Sequence, residues 1–157
     1  MYKTAVRWMI RRNVAALNDG RHEPALAMFA PDAELSFPGI NSWSGQFRTP
    51  GTGRDASRSH RGRDEIEAFL RRYLDHHIQM SIEDILVNGP PWNTRIALRA
   101  HVRAVDPDGG DAYGNRAVLM INARWGKIRR QEDYEDTERA AAFDAYMDSG
   151  GTTRSPR

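Results

Sequence analysis

Arg95-Ile96-Ala97-Leu98-Arg99-Ala100-His101-Val102-Arg103-Ala104-Val105 alternates residue by residue. Ile96, Leu98, Ala100, Val102 and Ala104 fall on one side, and Arg95, Ala97, Arg99, His101 and Arg103 on the other. A period of two over this length predicts a β-strand with one apolar and one polar face. The chain downstream keeps that period. Asp106-Pro107-Asp108-Gly109-Gly110 reads as a hairpin connection, Ala112 to Trp125 as the next strand, and Gly126-Lys127 as the turn into a last one. Upstream, Ile78, Met80 and Ile82 alternate, while Ile85 and Val87 resume on the opposite parity. That slip predicts a bulge near Glu83-Asp84, before Gly89-Pro90-Pro91 turns the chain.

The N-terminal half has a helical period instead. Val6, Met9, Ile10, Val14 and Leu17 form a stripe that stops at Asn18-Asp19-Gly20. A short second helix is expected from Pro24 through Phe29, then a strand over Ala33 to Phe37 that ends at Pro38-Gly39. Residues 39–62 read as a long loop rich in Gly, Ser, Thr, Pro and Arg, with Trp43 and Phe47 as its large side chains. Ile66, Phe69, Leu70, Tyr73 and Leu74 then repeat at i, i+3, i+4, i+7 and i+8. A final short helix is expected over Arg139 to Met147. The order predicts an α+β domain, with helices packed on one face of a curved antiparallel sheet. One domain is expected over residues 1–148, followed by a flexible tail at 149–157.

Composition narrows the function classes. The chain has 157 residues and no cysteine, which removes disulfides, zinc-thiolate sites and cysteine nucleophiles. No apolar run reaches the ~18 residues of a membrane span, and no signal-peptide core follows Met1. A cytoplasmic protein without a membrane partner is the expectation. Lys and Arg total 23 against 21 acids, and they are spread along the chain except between Arg48 and Arg63, so no nucleic-acid partner is expected. The adjacent His76 and His77 point apart on a helix end, and Asp106 to Asp111 lacks the spacing and final Glu of a calcium loop. Pro50-Gly51-Thr52-Gly53-Arg54 lacks the Lys-Ser/Thr of a phosphate loop. Neither a metal nor an organic cofactor is implied.

The order of elements, with Phe37-Pro38-Gly39, His60-Arg61-Gly62-Arg63-Asp64-Glu65-Ile66 and Gly126-Lys127-Ile128, resembles the nuclear transport factor 2-like superfamily. Its SnoaL-like branch is the nearer likeness, over about residues 5–147. The resemblance implies a cone-shaped, curved antiparallel sheet with the three N-terminal helices packed on its concave face, where they close a pocket. It also implies either catalysis, as in polyketide cyclases, ketosteroid isomerases and limonene epoxide hydrolases, or a non-catalytic ligand-binding or protein-interaction module. Asp133-Tyr134-Glu135-Asp136 looks like the Asp-Tyr-Phe-Asp of the epoxide hydrolases, and Asp133 falls where SnoaL-type cyclases hold an acid/base. Arg99 and His101 stand where the hydrolases have an Arg-x-Asp pair, with His in place of the Asp. The hydrolases' Tyr-x-Asn pair has no counterpart in Glu34 to Phe37.

The candidate catalytic set is therefore Asp133 as acid or base, His101 as its partner and Arg99 as the stabiliser of developing negative charge. Phe37, Trp43, Tyr73 and Met120 are the expected ligand contacts. The expected ligand is a small hydrophobic molecule of polyketide, terpenoid or steroid type, turned over by isomerase, cyclase, dehydratase or hydrolase chemistry. If Arg99 and His101 line the pocket, the Ile96, Leu98, Ala100, Val102 face needs cover, and a homodimer is expected.

Overall fold

The structure, a computed structural model, describes residues 1–37 and 59–155. Helix α1 spans Tyr2–Asn18 and α2 Glu23–Leu26. Strand β1 covers Phe29–Ser36 and β2 Ser59–Arg61. Helix α3 (Gly62–Asp75) leads into the meander β3 (Gln79–Asn88), β4 (Thr94–Val105), β5 (Asp111–Arg124) and β6 (Lys127–Glu135). Helix α4 (Thr137–Asp148) follows, its first turn capped by the Asp136 carboxylate, which accepts from the N–H groups of Glu138 and Arg139.

The six strands form one sheet in the order β2-β1-β6-β5-β4-β3. All neighbours are antiparallel except β1 and β6, which run parallel. The α+β architecture expected from the sequence is the one observed, with α1 packed on β3 and α3 on β1. Hydrogen bonds fix the first helix: Asn18 donates to Met80 O and accepts from Met80 N–H, both at 2.9 Å. The predicted bulge is present as a register shift between Ile82 and Asp84. The β5–β6 turn falls one residue earlier than expected, on Trp125 (φ 51°) and Gly126 (φ 76°). Two successive positive φ angles give the tight hairpin turn whose twist matches the strands.

Two further boundaries differ. The second helix stops at Leu26, and Phe29 already belongs to β1, where its ring is buried. Ser59–Arg61, read as the end of the long loop, pairs antiparallel with β1 through Leu35 and His60. In the stretch expected as a tail, Arg154 exchanges two backbone hydrogen bonds with Val105.

The faces of β4 settle which side carries the core. Ile96, Leu98, Ala100 and Val102 are buried, Ile96, Leu98 and Val102 in one core with side chains of α1 and α3, and Arg95, Arg99 and Arg103 are exposed. The face expected to need a dimer partner is thus already covered, which removes that argument for dimerisation. The physical reason is desolvation: three guanidinium groups on one parity stay in water, so the apolar parity takes the interior.

Candidate functional site

The register of the last three strands decides what lies inside. Asp133 stands opposite Leu119, and Leu119 opposite Leu98. The Asp133 side chain therefore projects onto the covered face, among the helices. There it lines a cavity of about 110 Å3 whose walls include Ile10, Phe69, Tyr73, Leu98 and Ile121. A smaller cavity, about 40 Å3, shares Phe69, Tyr73, Met80, Leu119 and Asp133 with the first and adds Phe37 and Glu135. Asp133 thus sits where the two lobes meet.

Its surroundings set its chemistry. Gln131 Nε2 donates to Asp133 Oδ1 at 2.9 Å. Burial pushes the carboxyl up from its usual 3.8 to about 7, against the smaller opposing effect of the Gln131 hydrogen bond. A carboxyl group poised near neutrality offers both its acid and its base form at working pH. Tyr73, buried beside it, has its hydroxyl pushed further from ionisation by burial first and by the Asp133 charge second. Glu135, two residues along the same face of β6, is raised from 4.5 to about 8. Burial is the main cause; the Tyr113 hydrogen bond opposes it, and repulsion from Asp133, Asp144 and Asp136 adds to it in smaller measure.

The other expected catalytic residues are elsewhere. Arg99 stands opposite Val118, and Val118 opposite Tyr134; His101 stands opposite Arg116. All of these project from the face that Asp133 does not share. Arg99 Nε meets Glu83 Oε2 at 3.0 Å, and Arg116 Nε meets the other Glu83 oxygen at 3.4 Å, on that outer face. The sheet itself separates His101 and Arg99 from Asp133, so the expected triad is not assembled. Met120 is 43% exposed on the same outer face and is not a pocket wall. Phe37 and Tyr73 do line the cavity. Trp43 lies outside the described residues.

Sequence reasoning missed Glu135 and the pair that holds it. Tyr113 Oη donates to Glu135 Oε2 at 3.1 Å, and Asn115 Nδ2 donates to Tyr113 Oη at 3.0 Å. The signal available was its i+2 spacing from Asp133, which in a strand means the same face. His60 is a second omission. It is buried against Phe37 and Phe69 and held neutral, its pKa lowered to about 4 by burial and then by Arg72. Among the described residues, no group of three His, Asp or Glu side chains is arranged to hold a metal ion.

The family model for the SnoaL-like domain matches residues 10–131. The chain belongs to the SnoaL-like domain family. Among solved structures, it resembles an NTF2-like protein of unknown function from Burkholderia pseudomallei (20% identity, 87% of this chain and 96% of that one, TM-score 0.65). A predicted polyketide cyclase from Xanthomonas campestris pv. campestris is similar at 18% identity, over 90% and 99% of the two chains, with TM-score 0.58. TerC, co-crystallized with polyporic acid, is similar at 18% identity over 85% and 92%, with TM-score 0.60. At these identities the likeness establishes the fold and no more. No curated protein matches. In this family member the helix-covered cavity carries Asp133 in its wall. No helix among the described residues is long and apolar enough to cross a membrane.

Proposed function

We propose that this chain is a cofactor-independent proton-transfer enzyme acting on a small, largely apolar molecule that carries an oxygen function. Asp133 is its acid/base, and the reaction is of isomerase, cyclase, dehydratase or hydrolase type. The carrying observation is the position of one carboxyl group, titrating near neutrality, at the junction of two apolar lobes. An apolar cavity of about 150 Å3 is enough for a single aromatic ring, so the volumes here favour a compact ligand. The predicted polyketide cyclase and TerC with polyporic acid support a ligand of polyketide kind by fold analogy alone. The test is Asp133→Asn: ligand binding is retained and turnover is lost by about a hundredfold or more. Unchanged turnover would remove Asp133 from the mechanism.

A non-catalytic ligand-binding module is the second reading. One observation favours it: Asp133 has Gln131 rather than a histidine or arginine as its polar partner. Screening that finds tight ligands and no chemical change in any of them would select this reading.

A homodimer belongs to the same proposal, on different grounds from those the sequence offered. Leu86, Val118, Met120 and Tyr134 are exposed on the outer face of the sheet, and the register brings Val118 beside Tyr134 and Met120 in line with Leu86. Salt-bridged Arg99, Glu83 and Arg116 border this patch. A contiguous apolar strip with a charged rim fits a second copy of the same face.

A further inference from the structure

Two buried polar atoms in the smaller lobe have no partner among the described residues: Glu135 Oε1 and Tyr73 Oη. A folded protein pairs nearly all such atoms, and an orphan beside a cavity points to a group that arrives from outside. Tyr73 is 7% exposed, lines the same lobe as Asp133 and Glu135, and has its hydroxyl near enough to Asp133 to feel that charge.

The proton inventory of the neighbouring hydrogen bonds gives Glu135 a direction. Asn115, 1% exposed, accepts on Oδ1 from the N–H groups of Arg116 (2.9 Å) and Asp136 (3.3 Å). Its amide is thereby oriented, and Nδ2 has to donate, to Asp136 O at 2.9 Å and to Tyr113 Oη at 3.0 Å. Having accepted from Asn115, the Tyr113 hydroxyl spends its own proton on Glu135 Oε2 at 3.1 Å. A neutral Glu135 then carries its proton on the other oxygen, Oε1, the atom that lacks an acceptor. Burial favours that neutral form.

We propose that Glu135 is the residue that selects the ligand's oxygen: held by the Asn115–Tyr113 relay, it donates from Oε1 to a neutral acceptor of the carbonyl type, with Tyr73 Oη beside it. This rests on the reading that the cavity around Asp133 is the ligand site. The oxygen is neutral because a ligand carboxylate in this lobe would lie against the Asp133 carboxylate in a water-poor space. Glu135 acts here as a binding residue; Tyr113 and Asn115 are positioning residues that act through it.

The experiment uses acetophenone and α-methylstyrene, two probes of one shape that differ in an oxygen replaced by CH2. Their binding to the full chain is followed by NMR shift titration. The expected result is a preference of wild type for the ketone. Glu135→Gln, whose amide still donates from the same place, keeps that preference within about twofold, and Glu135→Leu reduces it about five- to tenfold while binding the hydrocarbon as well as before. Glu135→Met is the unbranched alternative if the leucine variant does not fold. Equal preference in wild type and in either apolar variant overturns the role of Glu135 and leaves the cavity reading intact. Failure of both probes to bind wild type overturns the two together. Tyr113→Phe separates positioning from bulk: it is expected to weaken the ketone preference without changing hydrocarbon affinity, and an unchanged preference removes the relay.

Discussion

Asp133 faces Leu119 across the β5–β6 ladder, whereas His101 faces Arg116 across β4–β5, so the two side chains leave opposite sides of one sheet. Substitutions at the two positions therefore have separable effects. His101→Ala and Arg99→Ala are expected to leave turnover and ligand affinity within about twofold of wild type, because they alter only the outer face. Loss of activity in His101→Ala, measured on any substrate that Asp133→Asn fails to convert, would contradict this geometry.

The two buried acids give stability a pH dependence of known sign. Both have folded-state pKa values raised above ordinary ones, to about 7 for Asp133 and about 8 for Glu135. The stability they lend is present in full below their ordinary values and declines as pH rises, until it is gone above about 8. Buried His60, lowered to about 4, acts the other way, and its contribution is lost as pH falls below about 6.5. The informative quantity is therefore the difference from Asp133→Asn. At pH about 8.5 the variant is expected to be more stable than wild type by roughly 2–4 kcal/mol relative to their difference at pH about 4. Urea titrations across that range that run parallel for the two proteins would dispose of the buried, raised carboxyl.

The Asn115 side chain, 1% exposed, makes four hydrogen bonds, two of which tie β5 to Asp136 at the entry of α4. Asn115→Ala leaves the Arg116 and Asp136 N–H groups and Asp136 O short of partners. A loss of about 2–4 kcal/mol is expected. Chemical denaturation measures it, and a loss under about 0.5 kcal/mol would mean that water replaces the side chain.

The β3–β4 turn depends on Gly89. Its φ of +83° already disfavours a side chain, and a Cβ there would collide with the carbonyl oxygen of Asn93. Gly89→Ala is expected to cost about 2 kcal/mol or more, against about 1 kcal/mol for conformational strain alone. Gly126→Ala is the control. It has a similar φ of +76° but open space at the Cβ position, so only the strain is expected there. Equal losses at the two sites would assign the whole effect to backbone strain.

Met120→Lys tests the outer face. Met120 is 43% exposed there, close to Val118 and Tyr134. Light scattering at micromolar concentration is expected to report a dimer for wild type and a monomer for the variant, with unchanged circular dichroism. A wild-type monomer ends the dimer proposal.

The strands and their bulge were legible because apolar parity is a local signal: Ile82 and Ile85 cannot both face the core without the slip seen between Ile82 and Asp84. The helix over Ile66 to Leu74 was legible for the same reason. What parity alone did not reveal was which face of β4 held the pocket. Arg99 and His101 were assigned to it by likeness to a family pattern, but their own chemistry, charged and hydrated among Arg95 and Arg103, already favoured the outside. Asp133 was identified through the same likeness, whereas its neighbour Glu135 was not among the candidates. Its burial depends on Tyr113 and α4, contacts that no short window of sequence contains. The second edge strand was missed because Ser59–Arg61 has no periodicity of its own and is defined by its pairing with Leu35.

The parallel pairing of β1 with β6 brings Phe29 beside Ile128 and Leu35 beside Gln131. These partners are separated by nearly the whole intervening chain, whereas β3 to β6 pair through short hairpins. Closing so large a loop is slow compared with zipping a meander. The hairpin strands are therefore expected to gain amide protection early in refolding, and β1 late. Since β1 and the helices around it supply one wall of the cavity, binding competence should be among the last properties that the folding chain acquires.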